Sequence, residues 1–132
     1  MMQKTTISPP DAAEVMGAYS HALKVDLGNA GMIFVTGQIA QDKNGTVVCE
    51  GDIEGQTRYV FESVQKILNA AGACLDDVVK VNIYLTNIND FAKVSPIRNE
   101  YLKNSKPVST LVEISATVKK GCNIEIEVIA MK

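Results

Sequence analysis

Two carboxylates near the end of the chain stand two residues apart. In Asn123-Ile124-Glu125-Ile126-Glu127-Val128-Ile129-Ala130, the apolar Ile124, Ile126, Val128 and Ala130 alternate with Glu125, Glu127 and Ile129. A strand sends successive side chains to opposite faces, so Glu125 and Glu127 share one face. Such a pair either meets water or lines a cleft. Exposed carboxylates are the norm, so the pattern alone favours water. In a cleft, a carboxylate can hold a water molecule in place and carry its proton. The other reactive side chains are less informative. His21 is the single histidine, with no acid or nucleophile near it in a triad pattern. Cys49, Cys74 and Cys122 include no CxxC pair, so neither a zinc site nor a disulfide framework is indicated. Cys122 abuts Gly121, where a turn could expose it, and nothing nearby suggests a depressed pKa.

Met1 to Ile7 is short and β-prone, and Ser8-Pro9-Pro10 ends it. His21 to Leu27 and Met32 to Thr36 read as strands across the Gly28-Asn29-Ala30-Gly31 turn, a hairpin. Asp42-Lys43-Asn44-Gly45 is a second turn. Ile53 to Ala71 is the clearest helix: Ile53, Val60, Val64, Ile67, Leu68 and Ala71 share one face, Asp52 is placed to cap it and Gly72 to stop it. Val78 to Leu85 reads as a strand with Val79, Val81, Ile83 and Leu85 on one face. A shorter helix spans about Phe91 to Asn104, with Pro96 either in its first turn or at a bend. Strands at Lys106–Ile114 and Asn123–Ala130 close the chain. The order β-β-β-α-β-α-β-β predicts an α+β fold with two helices on one face of a sheet. Phe34 and Val35 point opposite ways and both are apolar, so the uncovered face is expected to bury against another subunit.

Composition limits the partners. The 132 residues are 46% hydrophobic and 21% charged, enough to bury the core of a single domain, 1–132. The net charge is −2, and the arginines are Arg58 and Arg98 alone. No basic stripe exists to neutralise phosphates, so the charge pattern argues against nucleic acid as a partner. No apolar run approaches the ~20 residues of a membrane helix. The start lacks the apolar segment of a secretory signal. With free thiols, these features lead to an expected cytoplasmic location.

Several motifs, taken together, resemble the RidA/YjgF family, also called the L-PSP endoribonuclease family. They are Gly17-Ala18-Tyr19-Ser20, Val35-Thr36-Gly37-Gln38-Ile39, Asn69-Ala70-Ala71-Gly72, Asn87-Ile88-Asn89-Asp90-Phe91 and Ile124-Glu125-Ile126-Glu127-Val128-Ile129-Ala130. The resemblance implies a chorismate-mutase-like fold and a homotrimer. Three sheets would form a central barrel, with helices outside and clefts between subunits. It implies hydrolysis of enamines and 2-imino acids to 2-keto acids and ammonia, with no cofactor or metal. Carried over by position, Glu125 is the catalytic carboxylate that orients water. Tyr19 lines the cleft, Gly37 offers its backbone N–H, and Ser109 and Leu111 belong to the substrate-binding strand.

This chain also departs from the family's pattern. The family's arginine, in a Pro-x-Arg-Ser motif, grips the substrate carboxylate with two parallel hydrogen bonds. Here the motif reads Pro107-Val108-Ser109-Thr110, with Ser109 in the arginine's slot. Ser95 stands for the usual asparagine of the second helix, and Ala18 for a proline. Losing a buried charge partner costs ~2–5 kcal/mol, or about 30- to several-thousand-fold. Lys106, Lys103 or Arg98 could reach in from a neighbour to replace it, but none occupies the arginine's slot, and each reads more readily as a surface charge. The first expectation is therefore an imine deaminase of weak or altered activity. The alternative is a non-catalytic trimer that binds a small metabolite. An L-PSP-type endoribonuclease comes third, because the chain lacks a histidine pair and a basic stripe.

Overall fold

A computed structural model describes residues 3–132; Met1 and Met2, the start of the β-prone segment, lie outside the described residues. The strands are β1 (Lys4–Ile7), β2 (Ala22–Asp26), β3 (Gly31–Ile39), β4 (Val78–Leu85), β5 (Val108–Glu113) and β6 (Ile124–Met131). The helices are α1 (Ile53–Ala70) and α2 (Phe91–Tyr101). The element order is the predicted one. The strands form one mixed sheet in the order β1-β2-β3-β6-β4-β5. β4 and β5 are parallel, joined through α2, and every other pair is antiparallel.

Helix α1 forms for the reasons its sequence suggests. The Asp52 carboxylate accepts from the Gly55 N–H at 3.0 Å, which satisfies one of the free donors at the helix start. Gly72, with φ of 82°, follows its end in the left-handed region that stops helices. Its inner face carries Ile53, Val60, Val64, Ile67 and Leu68, and also Phe61, Thr57 and Gln56. That face packs on Ile33 and Val35 of β3 and on Ile124, Ile126 and Val128 of β6, all buried. Each such side chain contributes on the order of 1.5–3 kcal/mol by leaving water. The Phe61 and Tyr101 rings stack at 4.9 Å and fasten α2 to α1. The Tyr101 hydroxyl also donates to Glu62 at 3.0 Å.

Three sequence expectations are corrected. Val79 does not share the face of Val81, Ile83 and Leu85: it is 41% exposed, and Val78 is buried in its place. The β4–β6 register shifts between Val78 and Lys80, a bulge whose extra residue reverses the alternation. Pro96 lies within the body of α2 as its sixth residue rather than in its first turn, and the helix ends at Tyr101 rather than near Asn104. Its missing N–H leaves the Ala92 carbonyl unpaired within the helix, and Ala92 is exposed, so water can take that bond. Cys122 is buried rather than exposed, with its thiol 3.4 Å from the Ala40 carbonyl. Burial raises its pKa.

The sheet face away from the helices is uncovered in the single chain. Phe34, Met131, Val108 and Val112 are exposed there. Edge strand β5 is exposed along most of its length, with only Leu111 partly buried against the core. The apolar second face expected from Phe34 and Val35 is therefore present.

Candidate active site

The alternation in β6 places Glu125 and Glu127 on the uncovered face, between β3 and β4. Ile124, Ile126 and Val128 go under the helices. The two carboxylates then differ in their surroundings. Glu127 accepts a short hydrogen bond from the Tyr84 hydroxyl and another from Asn82 Nδ2 at 3.1 Å. The cross-strand register explains this, since Asn82 lies opposite Glu127 and Tyr84 opposite Glu125. The bond to Glu127, with some burial, raises the Tyr84 pKa. Among the described residues, no group donates a hydrogen bond to the Glu125 carboxylate. Partial burial raises its pKa above the usual carboxylate value, and the charge of Glu127 raises it further. Glu125 is thus the carboxylate with free lone pairs and a raised proton affinity.

Gly37 lies against that carboxylate. The β3–β6 register shifts between Val35 and Gln38, so Thr36 and Gly37 form an irregularity in the strand. A Cβ built on Gly37 would overlap Glu125 Oε2 and lie 2.9 Å from Glu125 Cδ. Glycine is needed here for space. Thr36 Oγ1 donates to the Ser20 carbonyl, which ties the irregularity to the segment carrying Tyr19. Tyr19, 51% exposed, lines a pocket of about 190 Å³ with Gly37, Thr36 and the loop around Asp11–Val15. Glu125 is not part of that lining; Gly37, which lies against it, and Ile39, opposite it in the ladder, are. His21 Nδ1 pairs with Ser8 Oγ at 3.0 Å, a local tie for the N-terminal segment.

Ser109 and Leu111 are elsewhere. In the parallel β4–β5 ladder, Ser109 lies beside Val81 and Leu111 beside Ile83, and both partners are buried under the helices. Ser109 therefore belongs to the helix side of the edge strand, and Glu125 to the opposite face. One chain does not bring them together. Ser109 instead lines a cavity of about 480 Å³ with Arg98, Lys103, Lys106, Leu102 and Pro107. Among the described residues, no group of three or more His, Cys, Asp or Glu side chains is arranged to hold a metal ion. No helix there is long and apolar enough to cross a membrane.

Sequence reasoning missed Gln56. It is fully buried in α1, and its Nε2 donates to the Val48 and Gly121 carbonyls at 3.2 and 2.8 Å. Its Oε1 accepts from the Asn123 N–H at 2.9 Å. It fixes the entry to β6, two residues before Glu125. The available signal was a polar side chain three residues from Ile53 and four from Val60, on the apolar face of the helix.

Residues 9–132 match the family described as Endoribonuclease L-PSP. A RutC family protein of Pyrococcus abyssi is 45% identical over 131 residues, covering 99% of both chains. A 2-iminobutanoate/2-iminopropanoate deaminase of Dermatophagoides farinae is 32% identical over 131 residues, covering 99% of this chain and 98% of that one. Among solved structures, E. coli TdcF with bound serine superposes with a TM-score of 0.79 at 29% identity, over 97% of this chain and 98% of that one. The family match, the sheet order and the likeness to solved relatives agree: the chain belongs to the RidA/YjgF (Endoribonuclease L-PSP) family and has its chorismate-mutase-like α+β fold.

Proposed function

We propose that this protein hydrolyses small 2-imino acids and their enamine tautomers to 2-keto acids and ammonia, as a homotrimer with clefts between subunits. The observation that carries the reading is Glu125: a half-buried carboxylate with free lone pairs and a raised pKa, set against the Gly37 backbone. Water adds to the C=N carbon while Glu125 takes its proton. The proton passes to the nitrogen, and the resulting carbinolamine loses ammonia as its C–O bond becomes the keto group. A base with raised pKa suits a step in which it must first accept and then return a proton. The deaminase named among the relatives supports the reaction class.

Slow turnover follows from Ser109, which offers a neutral hydroxyl where the family pattern has a charged fork. Ser109 and Leu111 lie on the helix side of β5, so in this reading they reach the cleft from the neighbouring subunit. The exposed Phe34, Met131 and Val112 support an interface on the uncovered face. A second reading, a trimer that binds a small metabolite without turnover, is favoured by the same serine. Ribonuclease action is not proposed: the net charge is −2, and the single histidine is engaged with Ser8.

The test is release of keto acid from freshly generated 2-iminobutanoate by wild type and Glu125→Gln. Turnover by wild type that falls at least about 100-fold in the variant is expected. Equal rates would remove Glu125 from the chemistry, and no wild-type turnover would leave the binding reading.

A further inference from the structure

The turn after α2 gathers in one pocket the three cations that the sequence leaves either as surface charges or as stand-ins for the arginine. Arg98, Lys103 and Lys106 line the same cavity as Ser109, and no carboxylate is in that lining. Arg98 is half-buried, and two bonds aim its guanidinium: Nη2 donates to Ser95 Oγ at 3.0 Å and Nε to Asn99 Oδ1 at 3.2 Å. Its remaining N–H groups have no hydrogen-bond acceptor among the described residues. Lys106 has φ of 45°, a left-handed backbone for a residue with a side chain, and its N–H donates to the Leu102 carbonyl at 3.0 Å. That turn brings Lys103 and Lys106 to one pocket. Leu102 and Pro107 supply an apolar part of its wall. Among the described residues, the ion pairs are Arg58–Glu100 and Lys132–Asp77, and neither uses the three cations. Like charges held around one hollow repel each other unless an anion joins them.

We propose that Arg98, Lys103 and Lys106, gathered around Ser109, bind the carboxylate of a small organic acid, doing with three side chains on α2 and its following turn part of what a single arginine at position 109 would do. The inference rests on the cleft reading above, since it gives that cleft its anion-holding wall. The ligand class is a short monocarboxylate with an apolar tail, its carboxylate on the cations and its tail on Leu102 and Pro107. Arg98 is the principal contact, because its planar fork is already aimed, whereas the lysines are flexible. Ser109 adds one neutral hydrogen bond.

The experiment is calorimetric titration of the full chain with 2-ketobutanoate and with its neutral amide, 2-ketobutanamide. Wild type is expected to bind the acid at least about tenfold more tightly than the amide, with the preference shrinking as salt is added. Arg98→Gln and Lys106→Gln should each weaken acid binding about tenfold and leave amide binding unchanged. Glu125→Gln should keep the acid preference. The proposal is overturned if wild type does not distinguish acid from amide, or if both cation variants bind the acid as wild type does. Failure of the deaminase reading looks different: no imine turnover, with Arg98-dependent acid binding intact.

Discussion

The Glu125 carboxylate occupies the space that a side chain on Gly37 would need. The two residues come from adjacent strands, β3 and β6, and the irregularity at Thr36–Gly37 sets them against each other. Gly37→Ala should therefore push the carboxylate aside while leaving the fold in place. Misplacement by about 1 Å can cost ~100-fold in rate. Keto-acid release is expected to fall by about that factor, with an unchanged circular dichroism spectrum. Full activity would mean that Glu125 is free to move without loss, and that its contact with Gly37 has no catalytic meaning.

The raised pKa of Glu125 makes a signed prediction for stability. The folded protein holds this proton more tightly than the unfolded chain does. Its contribution is therefore present below the ordinary carboxylate pKa and is lost as pH rises through the raised folded value. Glu125→Gln removes that loss. The melting temperature of the variant should approach that of wild type in acid and exceed it at neutral pH. Melting curves at several pH values check this, and a variant less stable than wild type at neutral pH would contradict it. If ionised Glu125 is the base, kcat/KM should rise with pH through a pKa above the usual carboxylate range.

Ser109→Arg places a planar fork in the pocket of Arg98, Lys103 and Lys106. Arg98 already spends Nε on Asn99 and Nη2 on Ser95, so despite the added positive charge a second fork at 109, free to make two parallel bonds, should hold a carboxylate better than Arg98 and the lysines do. A several-fold gain in keto-acid release is expected. No gain in a protein of unchanged assembly would sink the account of slow turnover through the missing arginine. A gain that survives Glu125→Ala would remove Glu125 from the mechanism.

Phe34 is 40% exposed on the uncovered sheet face. In the trimer proposed here, Phe34→Glu would bury a charge at the interface. Sedimentation should give three chains per particle for wild type and smaller species for the variant, with activity lost in parallel. A wild-type monomer would sink both the trimer and the cleft between subunits.

Gln56→Leu should destabilise the fold by roughly 3 kcal/mol, because it leaves buried backbone groups at Val48, Gly121 and Asn123 without partners. Denaturant titration measures this directly. A change within error would mean that water replaces the amide at all three groups.

Elements and their faces are legible in the local sequence wherever one period runs without interruption. Alternation in β6 and three- and four-residue spacing in α1 are local consequences of strand and helix geometry, so Glu125, Glu127 and the α1 core face could be read directly. The motifs identified the family, and with it the fold. The remaining features arise from pairings between distant segments. The bulge at Val79 depends on how β4 meets β6, and it reversed a face that the local pattern had assigned. Cross-strand register separated the two glutamates, by placing Tyr84 and Asn82 on Glu127 and leaving Glu125 free. The parallel β4–β5 ladder put Ser109 on the helix side, away from Glu125, where the turn after α2 surrounds it with cations. None of these is carried by local spacing, because each depends on which residue of a remote strand lies opposite.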